Sequence, residues 1–240
     1  MQAHDKAIIH GSGQSRWRTP PQLFERLSQA VGGFLIDAAA GPENYLCDYW
    51  FGPGADLEEG GCERGVRLDD PTDSRRGSWE DALALDWAAV VKDLRGGEEG
   101  SKIFFNPPYS KTEIKALRDA GVPADDPRIR ALRVEHWVQK AFNESERGVS
   151  SVGLLPYAPQ TAWFRHCVMG HNPERRYELG GAWRGHAALD YWRFPHRISY
   201  LTPDGQKTAN AGVNSCLVFF GPNPGFVGPW TPSGRYWSYL

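Results

Sequence analysis

The tetrapeptide Asn106-Pro107-Pro108-Tyr109 holds the densest chemistry in the chain. It directly follows the apolar run Ser101-Lys102-Ile103-Phe104-Phe105. Neither proline can donate a ladder hydrogen bond, so a buried strand must end there. In open α/β sheets, ligand groups gather at the carboxyl ends of strands. An exocyclic amine on a heteroaromatic ring, such as adenine N6, is a poor nucleophile because its lone pair is delocalised into the ring. A catalyst for such an amine must hold both N–H groups and favour a pyramidal nitrogen. The side-chain oxygen of Asn106 and the backbone carbonyl of Pro107, aimed by two residues of restricted φ, are two suitable acceptors. Tyr109 can stack on the flat base. The competing reading is a strand-terminating Pro-Pro turn with Asn as its turn former.

The elements that would position this motif are legible around it. Thr19-Pro20-Pro21-Gln22 has a capping-box pattern with proline at the first helical position, and Leu23, Phe24, Leu27, Ala30 and Val31 follow on one helical face. A helix of about three turns is predicted there, stopped by Gly32-Gly33. Phe34-Leu35-Ile36 then reads as a short buried strand ending at Asp37. Val134, Trp137, Val138, Ala141 and Phe142 form a helical stripe, and Val152 to Pro156 reads as a strand after it. A short helix around Ala162 to Val168 and a late strand over Cys216 to Phe220 complete the alternation. That order predicts an α/β fold with a mostly parallel sheet flanked by helices.

Composition excludes several classes. Of 240 residues, 40% are hydrophobic and 23% charged, which fits a globular chain and not a disordered one. Glycine and proline together number 45, so long structured loops are expected. No apolar run reaches membrane-spanning length, and the first ten residues lack the apolar stretch of a signal peptide, so a cytoplasmic protein with no membrane partner is expected. Cys47, Cys62, Cys167 and Cys216 show no metal-ligand spacing and read as reduced packing thiols. The seven histidines form no ligand pattern, so no metal is expected. Net charge is −2, yet residues 160 to 200 hold six arginines and four histidines against three acids. Residues 53 to 99 hold thirteen acids against six bases. A nucleic-acid partner is compatible with that distribution, and so are two ordinary solvated faces.

Six segments in order resemble the phage-type DNA N6-adenine methyltransferases. They are Trp17-Arg18-Thr19-Pro20; Leu35-Ile36-Asp37-Ala38-Ala39-Ala40 with Pro42-Glu43-Asn44; Asp81-Ala82-Leu83-Ala84-Leu85-Asp86-Trp87; Asn106 to Ser110; Leu154-Leu155-Pro156; and Thr161-Ala162-Trp163-Phe164. Trp137 to Ala141, Arg197 to Tyr200 and Asn214 to Phe219 continue the similarity. The resemblance spans roughly residues 15 to 220. It implies a Rossmann-like methyltransferase domain, S-adenosyl-L-methionine as cofactor, double-stranded DNA as partner, a monomer or weak dimer, and a phage-encoded enzyme working in host cytoplasm. It makes Asn106, Pro107, Pro108 and Tyr109 catalytic. Trp17, Thr19 and Pro20 become neighbours of the cofactor's methionine end, and Asp37, Ala38, Ala39, Gly41 and Asn44 the loop beneath its ribose and amino acid. A carboxylate at that strand end suits the cationic amino group and sulfonium. Asp81 and Asp86 compete to accept from the cofactor's adenine amine, with Asp81 preferred. Thr19 and Asp86 also read as helix caps.

Ser110, Tyr200, Phe194 and Arg197 are the substrate-side candidates, Tyr200 or Phe194 as a second aromatic wall of the base pocket and equally as core packing. The chain departs from the family pattern in lacking a Gly-x-Gly cofactor loop. Residues 1 to 14 read as an extension, 53 to 78 and 111 to 132 as insertions, and 221 to 240 as a tail with five aromatics that folds back over an apolar face. Pro123 and Pro127 argue against one helix across 111 to 132. The same tetrapeptide could serve RNA adenine or a protein glutamine, or persist in a catalytically silent DNA-binding protein.

Overall fold

A computed structural model describes residues 17–41, 43–52, 81–95, 101–168, 190–207 and 214–222. The extension, the insertion at 53–78 and nearly all of the C-terminal tail lie outside these residues. Among the described residues six strands make one mixed sheet: β1 (Ile36–Asp37), β2 (Tyr49–Trp50), β3 (Lys102–Phe105), β4 (Ser150–Pro156), β5 (Asp190–Arg193) and β6 (Ser215–Phe220), in the spatial order β2-β1-β3-β4-β6-β5. The first four strands pair parallel, as expected from the alternation. The parallel pattern stops at β6, which runs against both β4 and β5. An antiparallel neighbour needs no crossover helix, so the expected α/β fold stands while the sheet is mixed, with three parallel and two antiparallel pairings among the described strands.

The helices are α1 (Pro21–Val31), α2 (Trp87–Arg95), α3 (Lys111–Asp119), α4 (Pro127–Ala131) and α5 (Val134–Ser145). Side chains alternate across the sheet. Phe104, Val152, Leu154, Leu217 and Phe219 pack with Leu27 and Val31 of α1, while Ile103, Phe105, Leu155, Val218 and Phe220 pack with residues of α2 and α5. The central strands therefore read as continuous apolar runs because both their faces are covered. Phe105 stacks on Trp137 of α5, with centroids 6.2 Å apart. Gly153 on the paired strand makes room for it, since a Cβ there would come within 2.5 Å of the Phe105 ring.

Chain order and spatial order together locate a crevice. After β1 the chain adds β2 on one flank, then crosses to the other flank of β1 for β3. The gap between the carboxyl ends of β1 and β3 is thus a topological switch point, where open sheets bind ligands.

Several expectations are corrected in detail. Thr19 does not cap α1; the cap position is Pro20, without a side-chain hydrogen bond. Gly32 closes that helix in the left-handed region at φ 80°, as its residue type predicts. The expected short helix around Ala162 to Val168 is present, and its Phe164–Val168 part is π-helical. Residues 111–132 hold α3 and α4 around a small apolar cluster of Leu117, Ile129 and Leu132. Ser110 caps α3 by accepting from the Glu113 N–H at 3.1 Å, and Asp126 caps α4. Cys47, Cys167 and Cys216 are unpaired buried thiols, and Cys62 lies outside the described residues. Among the described residues no helix is long and apolar enough to cross a membrane, and no cluster of three metal-ligating side chains occurs.

Candidate active site at the carboxyl ends of β1 and β3

Asp37 is the last residue of β1 and only 4% exposed. Its Oδ1 accepts from the Ala39 N–H at 3.3 Å, and the backbone of Leu46 also bonds the carboxylate. Neither donor is charged. Burial therefore dominates and pushes the Asp37 pKa up to about 7, against the two backbone bonds that lower it. The loop after it is tightly built. The Gly41 N–H donates to Asn44 Oδ1 at 2.6 Å and the Asn44 N–H returns to the Gly41 carbonyl at 3.0 Å. Gly52 presses on the same loop with φ 148°, and a Cβ there would sit 1.9 Å from the Ala40 carbonyl oxygen. That approach requires glycine. Cys47 is buried beside the site, its thiol pushed up first by burial and then by Asp37 and Asp48. Ala38 is buried and Ala39 half-buried in this turn.

Asp37 pairs in register with Phe104, so Asn106 lies two residues beyond its neighbour on β3. Asn106 Nδ2 donates to Thr19 Oγ1 at 2.9 Å. Pro107 is buried and Pro108 half-buried. Tyr109 packs on the core, and its hydroxyl is hydrogen-bonded to Tyr200. The Tyr200 hydroxyl also meets Ser215 Oγ at 2.8 Å, and its ring stacks on Trp17 at 5.7 Å. Burial raises both phenol pKa values, so the chain of hydroxyls stays protonated at neutral pH.

The segment bearing Trp17, Thr19 and Pro20 is clamped over the site. Arg18 exchanges backbone hydrogen bonds with Leu201 at 2.8 and 3.0 Å, and its guanidinium reaches the Glu43 carbonyl and carboxylate at 3.0 and 3.1 Å. The structure thus brings together stretches far apart in sequence: 17–20, 37–41 with 43–44, 106–109 and 200–201.

The remaining candidates make other contacts, and Tyr200 belongs both to the site and to the core. Asp81 Oδ1 accepts from the Leu83 and Ala84 N–H groups, in a turn ahead of α2. Asp86 is occupied: Oδ1 takes the Ala89 N–H at 2.9 Å and Oδ2 takes Arg147 Nη2 at 2.7 Å. The Arg147 bond and the backbone bond hold its carboxyl below the ordinary range despite burial. Phe194, 4% exposed, lies edge-on to Trp192 at 4.6 Å in the α1-side core, and Tyr200, 1% exposed, lies in the same core. Neither ring is an open wall in this conformation. Ser110 is the α3 cap and Arg197 is exposed.

Sequence reasoning passed over Tyr45 and the Thr19–Asn106 bond. Among the described residues Tyr45 is the one large apolar side chain that stays exposed, stacked on Trp50 at 5.9 Å near the Asp37 loop. The aromatic spacing of Tyr45, Tyr49 and Trp50 is its only sequence signal. The Thr19 contact spans 87 positions, and no local pattern encodes it. No protein-family model matches the chain and no curated protein matches it, so the chemistry of the site rests on its own geometry.

Proposed function

We propose that the chain is an S-adenosylmethionine-dependent DNA N6-adenine methyltransferase with a Rossmann-like sheet. The observation that carries this reading is the placement of Asp37 and Asn106 at the carboxyl ends of neighbouring parallel strands, on the two sides of the switch point. One position offers a carboxylate and the other a neutral acceptor. These are the groups that a cationic amino-acid cofactor and an aromatic amine require.

The residues fit the cofactor. Asp37 is buried with only neutral donors, and burial holds it near pH 7. A cation beside it would offset that desolvation and restore the carboxylate. The tight Asp37–Asn44 turn presents backbone close to a ligand, and Asp81 suits the adenine amine better than Asp86, whose two oxygens are both engaged. When bound, S-adenosylmethionine supplies an electrophilic methyl group. On the substrate side, Asn106 Oδ1 and the Pro107 carbonyl accept the two N6 hydrogens and favour a pyramidal nitrogen. Tyr109, braced by Tyr200, offers its ring to the base. Duplex DNA must release the adenine from its stack to reach these groups. The methylated amine loses its proton readily to water, so catalysis is mainly positioning.

Transfer of tritiated methyl groups from S-adenosylmethionine to unmethylated duplex DNA, RNA and a protein extract tests this reading. Label in N6-methyladenine of DNA is expected, with Asn106→Ala slower by at least about 100-fold. Label confined to RNA or protein would move the activity to that substrate, and no label in any arm would overturn the enzyme reading.

A further inference from the structure

Asparagine has an ambiguity that matters at position 106. Its amide oxygen and nitrogen are nearly the same size, so the side chain can present either an acceptor or a donor by a half-turn. An amine substrate donates, and a flipped amide would set N–H against N–H. We propose that Thr19 is a positioning residue that fixes the Asn106 amide with Nδ2 turned inward, leaving Oδ1 for the bound amine. The proposal rests on the functional reading above and assigns Thr19 a task at the substrate side of the site, where the family resemblance gives it to the cofactor.

Three observations carry it. The bond from Asn106 Nδ2 to Thr19 Oγ1 is 2.9 Å, and Thr19 is 5% exposed, so water competes poorly for the Thr19 hydroxyl. Thr19 is itself held on both sides. Arg18 before it exchanges two backbone hydrogen bonds with Leu201, while Pro20 after it restricts Thr19 to extended backbone. The hydroxyl is also free of the duty its sequence pattern suggested, because the cap position of α1 is Pro20 and no side chain caps that helix. The Thr19 hydroxyl can accept or donate, so the assignment rests on the observed pairing, in which Nδ2 of Asn106 faces Thr19 Oγ1.

The same segment braces the other end of the tetrapeptide. Trp17 stacks on Tyr200, which hydrogen-bonds Tyr109. Residues 17 to 19 thereby touch Asn106 directly and Tyr109 through Tyr200.

Thr19→Val, which keeps the shape and removes the hydroxyl, and Thr19→Ser, which keeps the hydroxyl, test the proposal in the full chain. Single-turnover methyl transfer by Thr19→Val is expected to fall by about tenfold to 100-fold, the scale of a misplaced reacting group. Its S-adenosylmethionine dissociation constant should stay within about twofold and Thr19→Ser within about threefold of wild-type transfer, because each retains the contacts that those quantities read. Wild-type transfer in Thr19→Val, or a cofactor affinity that falls in step with the rate, overturns the proposal.

A second measurement stands apart from activity and from the fate of the valine variant. In the wild-type chain, nitrogen-15 NMR should show one Asn106 side-chain amide proton exchanging several-fold slower than those of exposed Asn214, with the protection kept in Thr19→Ser and lost in Thr19→Val. Equal exchange at Asn106 and Asn214 in wild type would overturn the contact itself. If the protection is present but wild type methylates nothing, the positioning of Asn106 stands and the methyltransferase reading fails.

Discussion

Asp37 and Glu144 are both carboxylates withdrawn from water, 4% and 3% exposed, and the fold treats them differently. Glu144, on α5, is surrounded by donors that carry charge: Lys140 Nζ at 2.6 Å and Arg147 Nη1 at 3.2 Å, with the Ala88 N–H of α2 at 3.1 Å. Arg147 extends the network to Asp86, and Lys140 also lies over the Trp87 ring at 5.8 Å. Three of these links, from the Ala88 N–H, from Arg147 to Asp86 and from Lys140 to the Trp87 ring, tie the C-terminal half of α5 and the residues after it to the start of α2. Asp37 has two backbone donors and no cation among the described residues. A buried anion without a counter-charge is expensive, and chains retain one where a ligand supplies the missing charge. The contrast separates a carboxylate compensated by cations from one held by backbone donors alone, and the proposed cofactor site rests on that difference.

The largest expected effect lies on the architectural side. Glu144→Ala should destabilise the chain by about 3 kcal/mol, because it strands Lys140 and the Ala88 N–H; the figure is at the low end for a broken buried pair since Arg147 keeps its contact with water. Chemical denaturation reads this, with cofactor affinity unchanged. A loss below about 1 kcal/mol would mean the network is no stronger than a surface ion pair.

Next comes a pH effect at Asp37. Burial raises its pKa from 3.8 to about 7, so the folded chain holds that proton more tightly than the unfolded chain. The resulting stability is fully present below about pH 4 and is lost as pH rises through 7. In Asp37→Asn that dependence disappears, and the variant should gain on wild type by about 2.5 kcal/mol between pH 5 and pH 8. Parallel stability curves for the two proteins would show that the Asp37 charge is already compensated inside the fold, and the contrast with Glu144 would collapse.

How far the sequence reached follows from the kind of signal each element carries. β3, β4, β6 and α5 were legible because apolar runs and a helical stripe report burial directly. β2 has two residues, Tyr49 and Trp50, and exists through its pairing with β1, so no periodicity could mark it. β5 begins at Asp190 and ends at Arg193, a composition that hides a strand at the sheet edge. α3 had a readable start in Ser110-x-x-Glu113, but Pro123 and Pro127 nearby drew attention to turns and away from two short helices. At the site, Asp37 and Asn106 were found from strand ends. The bond that orients Asn106 was not, since Thr19 looks like a cap locally and acquires its partner only through tertiary folding. Asp86 illustrates the converse: its capping role was readable, while Arg147, which occupies its second oxygen, lies 61 positions away.

The most direct test of the account is calorimetric titration of S-adenosylmethionine into wild type and Asp37→Asn at pH 8 and pH 6. Wild type should bind, with affinity about tenfold weaker at pH 6 as Asp37 takes up its proton, and Asp37→Asn should bind at least about tenfold more weakly than wild type at pH 8 with no such pH dependence. Equal affinity in the two proteins, or no binding by wild type at either pH, would contradict the claim that the carboxyl end of β1 is built to receive a cationic cofactor.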